Sequence, residues 1–266
     1  MNMNNLLKEE RQLKIVQIIK DKETVSIADL SREISVSEIT IRRDLRDLSD
    51  NGIIHRVYGG AMIAEPAIID LPVLQRIQNE KELKDAIGFA TSELIKDGES
   101  VFIGSGSTTA YVARNLINRN RLTVITNALN VGMELSNSER ITVVVIGGMM
   151  RPSELSLIGH IADQALKEVR VDKVIMGITA ISVTAGLSND YLPEVMTDRA
   201  ILDMTPEVIV VADHTKFGKV ATGYVAPLDR VKTLITDQDT SEIYLNQIRK
   251  MGINVIVTHE DRKNGN

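Results

Sequence analysis

Ser26-Ile-Ala-Asp-Leu-Ser-Arg-Glu-Ile-Ser-Val-Ser-Glu-Ile-Thr-Ile-Arg-Arg-Asp-Leu-Arg-Asp-Leu-Ser-Asp-Asn-Gly-Ile-Ile-His-Arg-Val-Tyr-Gly-Gly60 is the stretch whose reading decides the N-terminal fold. Apolar residues recur twice at helical spacing, first at Ile27, Leu30 and Ile34, then at Ile39, Ile41, Leu45 and Leu48. Ser26 with Asp29 resembles a capping pair, Ser35-Val36 forms the turn, and Ser37 caps the second helix. Asn51-Gly52 ends that helix, because both residues tolerate left-handed backbone. Residues 53–58 and 61–63 flank Gly59-Gly60 as the strands of a hairpin. A further helix over about Lys8 to Asp21 precedes them, with Leu13, Ile15, Val16 and Ile19 as its apolar stripe. Two short helices about one turn apart, followed by a Gly-rich hairpin, predict a winged helix-turn-helix. Such a module sets its second helix in the DNA major groove.

The second helix carries Ser37, Thr40, Arg42, Arg43 and Arg46 off its apolar stripe, and the hairpin adds Arg56. A guanidinium grips guanine or phosphate, and a hydroxyl contacts bases or backbone. These six residues are the candidate DNA contacts. The formal net charge of −5 argues mildly against a nucleic-acid binder, and residues 1–60 hold ten basic and ten acidic side chains. Counterion release depends on the charges that face the phosphates, so Asp44 and Asp47 should point away or pair with the arginines.

At 266 residues and 43% hydrophobic, the chain predicts two domains. The absence of Cys excludes disulfides and thiolate zinc sites. The first ten residues lack an apolar signal core, and the apolar runs are too short to span a bilayer. A cytoplasmic protein with no membrane partner is expected. The expected organisation is a DNA-binding domain over 1–62, a linker over 63–79 containing Pro66 and Pro72, an effector domain over 80–258 and a polar tail over 259–266.

Beyond the linker, β-branched runs at 101–103, 122–126, 141–146, 174–176, 208–212, 233–236 and 253–257 alternate with helical stretches. That pattern predicts a Rossmann-like, mostly parallel α/β sheet covered on both faces, with function at the strand C-terminal ends. The run 101–103 enters Gly104-Ser-Gly-Ser-Thr-Thr109 and then a helix. Glycines let backbone approach an anion, helix N–H groups point at it, and the hydroxyls add donors. Gly104, Ser105, Gly106, Ser107, Thr108 and Thr109 are therefore candidates for a phosphate site. The loop has no Lys, so it is not a Walker A, and it lacks the third Gly of a dinucleotide fingerprint. Three more strand ends carry Thr126-Asn127, Gly147-Gly148 and Asp213-His-Thr-Lys-Phe-Gly218. Lys216 could neutralise a phosphate, and Thr126 and Asn127 could bind hydroxyls or cap the helix that follows. His160 and His214 stand without metal-ligand spacing, and no metal or cofactor is expected.

Taken together, the chain resembles the DeoR family of bacterial transcription regulators. Ser37-Glu-Ile-Thr-Ile-Arg-Arg-Asp-Leu45 and Arg56-Val-Tyr-Gly-Gly-Ala61 are similar to that family's helix and wing signatures. Gly104-Ser-Gly-Ser-Thr-Thr109, Thr126-Asn127, Gly147-Gly148, Gly159, Gly186-Leu187 and Asp213-His-Thr-Lys-Phe-Gly218 follow in its effector-domain order. The resemblance covers about residues 6 to 257. It implies a repressor controlled by a phosphorylated sugar or polyol, acting on operator DNA, with an effector domain similar to ribose-5-phosphate isomerase. One departure is Gly177-Ile-Thr-Ala-Ile181, where many relatives have Gly-x-Asp and Thr179 stands in place of the acid. An isomerase needs a carboxylate base beside its substrate, so the expectation is a regulator and not an enzyme. Thr179 and Asp190 join the candidates for the effector's far end. The alternative is a sugar-phosphate isomerase fused to a helical module, with Glu194 or Asp213 as base and Lys216 as acid. A homodimer or higher oligomer is expected, since one helix-turn-helix reads only a half-site.

Overall fold

The computed structural model describes residues 8–22, 24–50, 54–57, 60–63 and 71–259. The chain divides into two compact units, residues 1–69 and 70–266.

In the first unit, helices α1 (Lys8–Lys22), α2 (Ile27–Ile34) and α3 (Glu38–Asp50) accompany strands β1 (Thr24–Ser26), β2 (Ile54–Val57) and β3 (Gly60–Ile63). The strands form an antiparallel sheet in the order β1-β3-β2. Ile15, Ile19, Leu30, Ile34, Ile41, Leu45 and Ile54 form its core. The capping expectations hold. The Ser26 hydroxyl accepts from the Asp29 amide at 3.1 Å, and the Ser37 hydroxyl accepts from the Thr40 amide at 3.2 Å. Ser35 closes α2 in the left-handed region, with φ of 60°. Strand β1 was not legible, being three residues long. Asn51-Gly52 and Gly59 lie outside the described residues.

One expectation for α3 is corrected. Ile39 is not part of the core stripe, since it is 79% exposed while Ile41, Leu45 and Leu48 are buried. At about 100° per residue, Ile39 points nearly opposite Ile41. Asp44 takes the buried place on the inner face instead.

The second unit opens with α4 (Val73–Arg76) and α5 (Lys81–Ser92). Residues 73–77 were expected to be linker but are folded. Val73 and Ile77 are buried against Ala110 and Tyr111, and the Tyr111 hydroxyl donates to the Ile77 carbonyl at 3.0 Å. Residues 64–70 lie outside the described residues, as does the polar tail beyond His259.

There follow β4 (Ser100–Ile103), α6 (Ser107–Leu116), β5 (Leu122–Thr126), α7 (Leu129–Leu135), β6 (Ile141–Val145), β7 (Met149–Arg151), β8 (Ser156–Ile158), α8 (His160–Glu168), β9 (Lys173–Gly177), β10 (Ala180–Ser182), β11 (Gly186–Asn189), α9 (Leu192–Leu202), β12 (Val208–Val211), β13 (Gly223–Ala226), β14 (Thr233–Asp237), α10 (Glu242–Lys250) and β15 (Asn254–Thr258). The seven strands expected from the β-branched runs make one sheet, ordered β15-β14-β12-β9-β4-β5-β6, with every neighbouring pair parallel. Burial on both faces explains the unbroken apolar sequences of the inner strands, whereas the edge strands β6 and β15 are partly exposed. Phe102, Val174, Met176, Val208 and Val210 enter one core. Val101, Ile103, Ile175, Ile209 and Val211 enter the other. The hairpin β7-β8 and the antiparallel sheet β10-β11-β13 were not anticipated; their strands run only three or four residues.

Strand order places the site. From β4 the chain builds outward through β5 and β6, then returns to lay β9 against the other side of β4 and builds outward again through β12, β14 and β15. The order reverses between β4 and β9, and in open α/β sheets such a switch point, at the C-terminal ends of the strands, is where ligands bind.

Candidate functional sites

Helix α3 presents the candidate DNA-reading face. Its inner side is formed by Ile41, Asp44, Leu45 and Leu48, all buried. Arg11 from α1 grips Asp44 with two hydrogen bonds, at 2.6 and 3.1 Å. The acid therefore turns inward, away from the helix's own arginines, as the charge balance demanded. Arg42, Arg43 and Arg46 are exposed. Glu38 lies 3.4 Å from Arg42, while Arg43 and Arg46 make no ion pair among the described residues. The Ser37 and Thr40 hydroxyls sit 2.9 Å apart at the helix start. The side chain of Arg56, on β2, lies outside the described residues.

The second site lies at the switch point between β4 and β9. The Gly104 amide donates to the Ile175 carbonyl at 2.9 Å, tying the loop to β9. Gly106 has φ of 139°, which only glycine adopts readily. A Cβ on Gly177 would stand 3.2 Å from the Ser105 carbonyl, so the two chains meet backbone to backbone. Helix α6 begins there at Ser107, and the first N–H groups of a helix lack partners within it. Ser107, Thr108 and Thr109 are buried, and Thr109 returns its hydroxyl to the Gly106 carbonyl at 3.0 Å.

A charged network touches this loop through Glu194. Glu194, in the first turn of α9, is 2% exposed. One oxygen accepts from Ser156 at 2.8 Å and faces Ser105 at 3.5 Å; the other takes the Arg151 guanidinium. Arg151 also covers the Tyr191 ring, 4.4 Å from its centre. One turn along α9, burial and the nearby Glu194 charge push the Asp198 carboxyl up to about 8, so it is protonated at neutral pH. Asn189 donates to Asp198 at 2.7 Å. Glu154 pairs with Arg76, and burial raises its carboxyl above the usual range against the pull of that arginine.

At the end of β12, Asp213 accepts from the Thr215 amide at 3.0 Å and lies 3.8 Å from the buried Lys84 ammonium of α5. Lys216 is half-buried beside them. Desolvation lowers the pKa of both lysines, and the Asp213 charge opposes it. Lys216 makes no ion pair among the described residues, which leaves a cation for an incoming anion.

The other candidates fall into different roles. Thr126 is buried, donates to the Ile103 carbonyl at 2.6 Å and accepts from the Ala128 amide at 3.0 Å, so its hydroxyl fixes the turn before α7, a helix with no side-chain cap of its own. Asn127 gives its amide to the Leu157 carbonyl at 3.3 Å, yet its buried side-chain oxygen has no partner. A Cβ on Gly148 would stand 2.9 Å from Ile158, so this glycine admits the β7-β8 hairpin; Gly147 lies beside it. Thr179 donates to Asn189 at 3.3 Å, and Asp190 follows Asn189 in the chain. His214, Asp237 and Asp239 bring ligand atoms within 4.8 Å of one another. The Asp237 carboxylate, however, is occupied by the His214 and Asp239 amides, at 2.7 and 2.9 Å, in a turn cap. Arg151, Lys84, Arg76, Glu154 and Asp198 were missed as site residues. Each sits in an ordinary helical or hairpin context with no local motif, and only the tertiary fold brings them together.

A family model described as the DeoR-like helix-turn-helix domain matches residues 11–67, and one described as the DeoR C terminal sensor domain matches 79–238. The chain belongs to the DeoR family. Its relatives include the transcriptional repressor AccR of Agrobacterium fabrum, 32% identical over 88% of this chain and 92% of that one. The glycerol-3-phosphate regulon repressor of Escherichia coli is 32% identical over 86% and 90%. The HTH-type transcriptional regulator IolR of Bacillus subtilis is 32% identical over 83% and 88%. Among solved structures, ribose-5-phosphate isomerase A of Methanocaldococcus jannaschii overlaps 52% of this chain and 55% of its own at 22% identity, with a TM-score of 0.39. As a DeoR member, the chain joins a DNA-binding module to a small-molecule sensor. Among its described residues no helix is long and apolar enough to cross a membrane.

Proposed function

We propose that this DeoR regulator is a repressor of a carbohydrate operon, released or engaged by a phosphorylated sugar or polyol. The observation that carries the sensor half is the switch point between β4 and β9, where β4 runs through the Gly104–Ser107 turn into the free N-terminus of α6, with half-buried Lys216 following β12, the strand next to β9. Helix N–H groups with a nearby cation fit a phosphate. The polar lining from Asn127, Thr179 and Asn189 suits hydroxyls at the other end. The name of the glycerol-3-phosphate regulon repressor points the same way.

The same geometry speaks against catalysis. Glu194 is clamped by Arg151 and Ser156, Asp213 is committed to Thr215 and faces Lys84, and a threonine stands at 179. Among the described residues, the two acids that could serve as base, Glu194 and Asp213, are thus both engaged, which disfavours proton abstraction. The active form is a homodimer or higher oligomer, as paired half-sites require.

Thermal denaturation of the full chain against a panel of sugar and polyol phosphates, each paired with its unphosphorylated parent, tests this. Stabilisation by a phosphorylated compound alone is expected, with no turnover of it. Equal stabilisation by the parents would displace the phosphate from the site, and turnover would make the protein an enzyme.

A further inference from the structure

Ile39 is the most exposed of the described large apolar side chains, at 79%, and it stands on the helix that carries the arginines. At about 100° per residue, the buried stripe of Ile41, Asp44, Leu45 and Leu48 fixes the inward direction of α3. Ile39, Arg43 and Arg46 then all lie within about 30° of the outward pole, with Arg42 and Thr40 on the flanks. An isobutyl-sized group therefore occupies the first turn of a cationic ridge, at the N-terminal end that reaches deepest toward base edges in a helix-turn-helix. Ile39 shares that outward face with arginines, so a duplex docked on them would cover it.

Within a major groove the one apolar feature of a base edge is the C5 methyl of thymine. We infer that Ile39 is a specificity-determining residue that packs on a thymine methyl in each operator half-site, while Arg43 and Arg46 supply the flanking polar contacts. The inference rests on the DNA-binding reading of the N-terminal unit. The occupant is duplex DNA because the arginines on either side match a polyanion, which a second apolar surface would leave unpaired and desolvated.

Bound duplexes are selected from a randomised pool with the full chain, and each thymine of the consensus is replaced singly by deoxyuridine, which lacks only the methyl. Affinity is read by fluorescence anisotropy at fixed salt. Burial of one methyl corresponds to about 0.8 kcal/mol, or about a fourfold change. At one or two thymines per half-site, deoxyuridine should weaken the native chain about fourfold. Ile39→Ala should bind the parent duplex more weakly and no longer distinguish the two bases at those positions. Ile39 is exposed, so the variant keeps its fold, which a melting curve checks. Indifference of the native chain to every deoxyuridine, or an undiminished difference in Ile39→Ala, overturns the inference while leaving DNA binding intact. Failure to enrich any duplex overturns the DNA-binding reading itself.

Discussion

Asp198 shows how a single side chain sets a pH response. Its folded pKa, about 8, lies above the ordinary value of 3.8 because burial and Glu194 disfavour the charge. A raised folded pKa means stability that is complete below pH 4 and lost as pH rises toward 8. Asp198→Asn keeps the shape without the ionisable proton. Urea titrations should show the stability of the variant relative to the parent rising steadily from pH 4 to pH 8 and levelling off above it; parallel curves across that range would refute the assignment. Arg43 and Lys216 carry the two binding predictions at this scale. Arg43→Ala should cost about 1–3 kcal/mol in operator affinity if it reads a base, measured against Arg249→Ala as an exposed control. Lys216→Met should abolish stabilisation by phosphorylated compounds and leave operator binding unchanged in gel shifts. Legibility was uneven among residues. Lys216 and the Gly104–Thr109 loop announced themselves through local sequence at a strand end. Ile39 was misread because it was grouped by its hydrophobicity with Ile41, Leu45 and Leu48, although its place about 200° from Ile41 puts it on the opposite face.

At the scale of elements, α9 is the strut of the sensor site. Its Glu194 joins the β4 loop, through Ser105, to the β7-β8 hairpin, through Arg151 and Ser156. The Arg151 and Glu194 side chains are 8% and 2% exposed, so removing one leaves the other charge buried. Arg151→Ala should cost about 3–5 kcal/mol, whereas breaking the exposed Arg249–Glu242 pair should cost no more than about 1 kcal/mol. Equal losses in chemical denaturation would show that the buried pair is solvated in solution. The seven parallel strands were legible because each is an apolar, β-branched run, although only the inner ones are covered on both faces and the edge strands β6 and β15 are partly exposed. The hairpin that delivers Arg151 was not, since Met149-Met-Arg151 has neither alternation nor a turn signature. Residues 73–77 were hidden by Pro72, which marks a loop in sequence and here begins a short helix.

For the whole molecule, two units hold two ligands, and regulation requires that each binding event change the free energy of the other. The proposed phosphate site belongs to the 70–266 unit and the arginine ridge to the 1–69 unit. Coupling of this kind is typically about 1–3 kcal/mol, and linkage makes it reciprocal. The measurement that bears most directly on the central claim is a paired titration. Operator affinity is measured with and without the phosphorylated effector found by thermal shift, and effector affinity with and without operator. The predicted result is one factor, about 5–150-fold, appearing in both directions. Two affinities that ignore each other would contradict the account, because the sensor would then sense nothing on behalf of the DNA-binding unit.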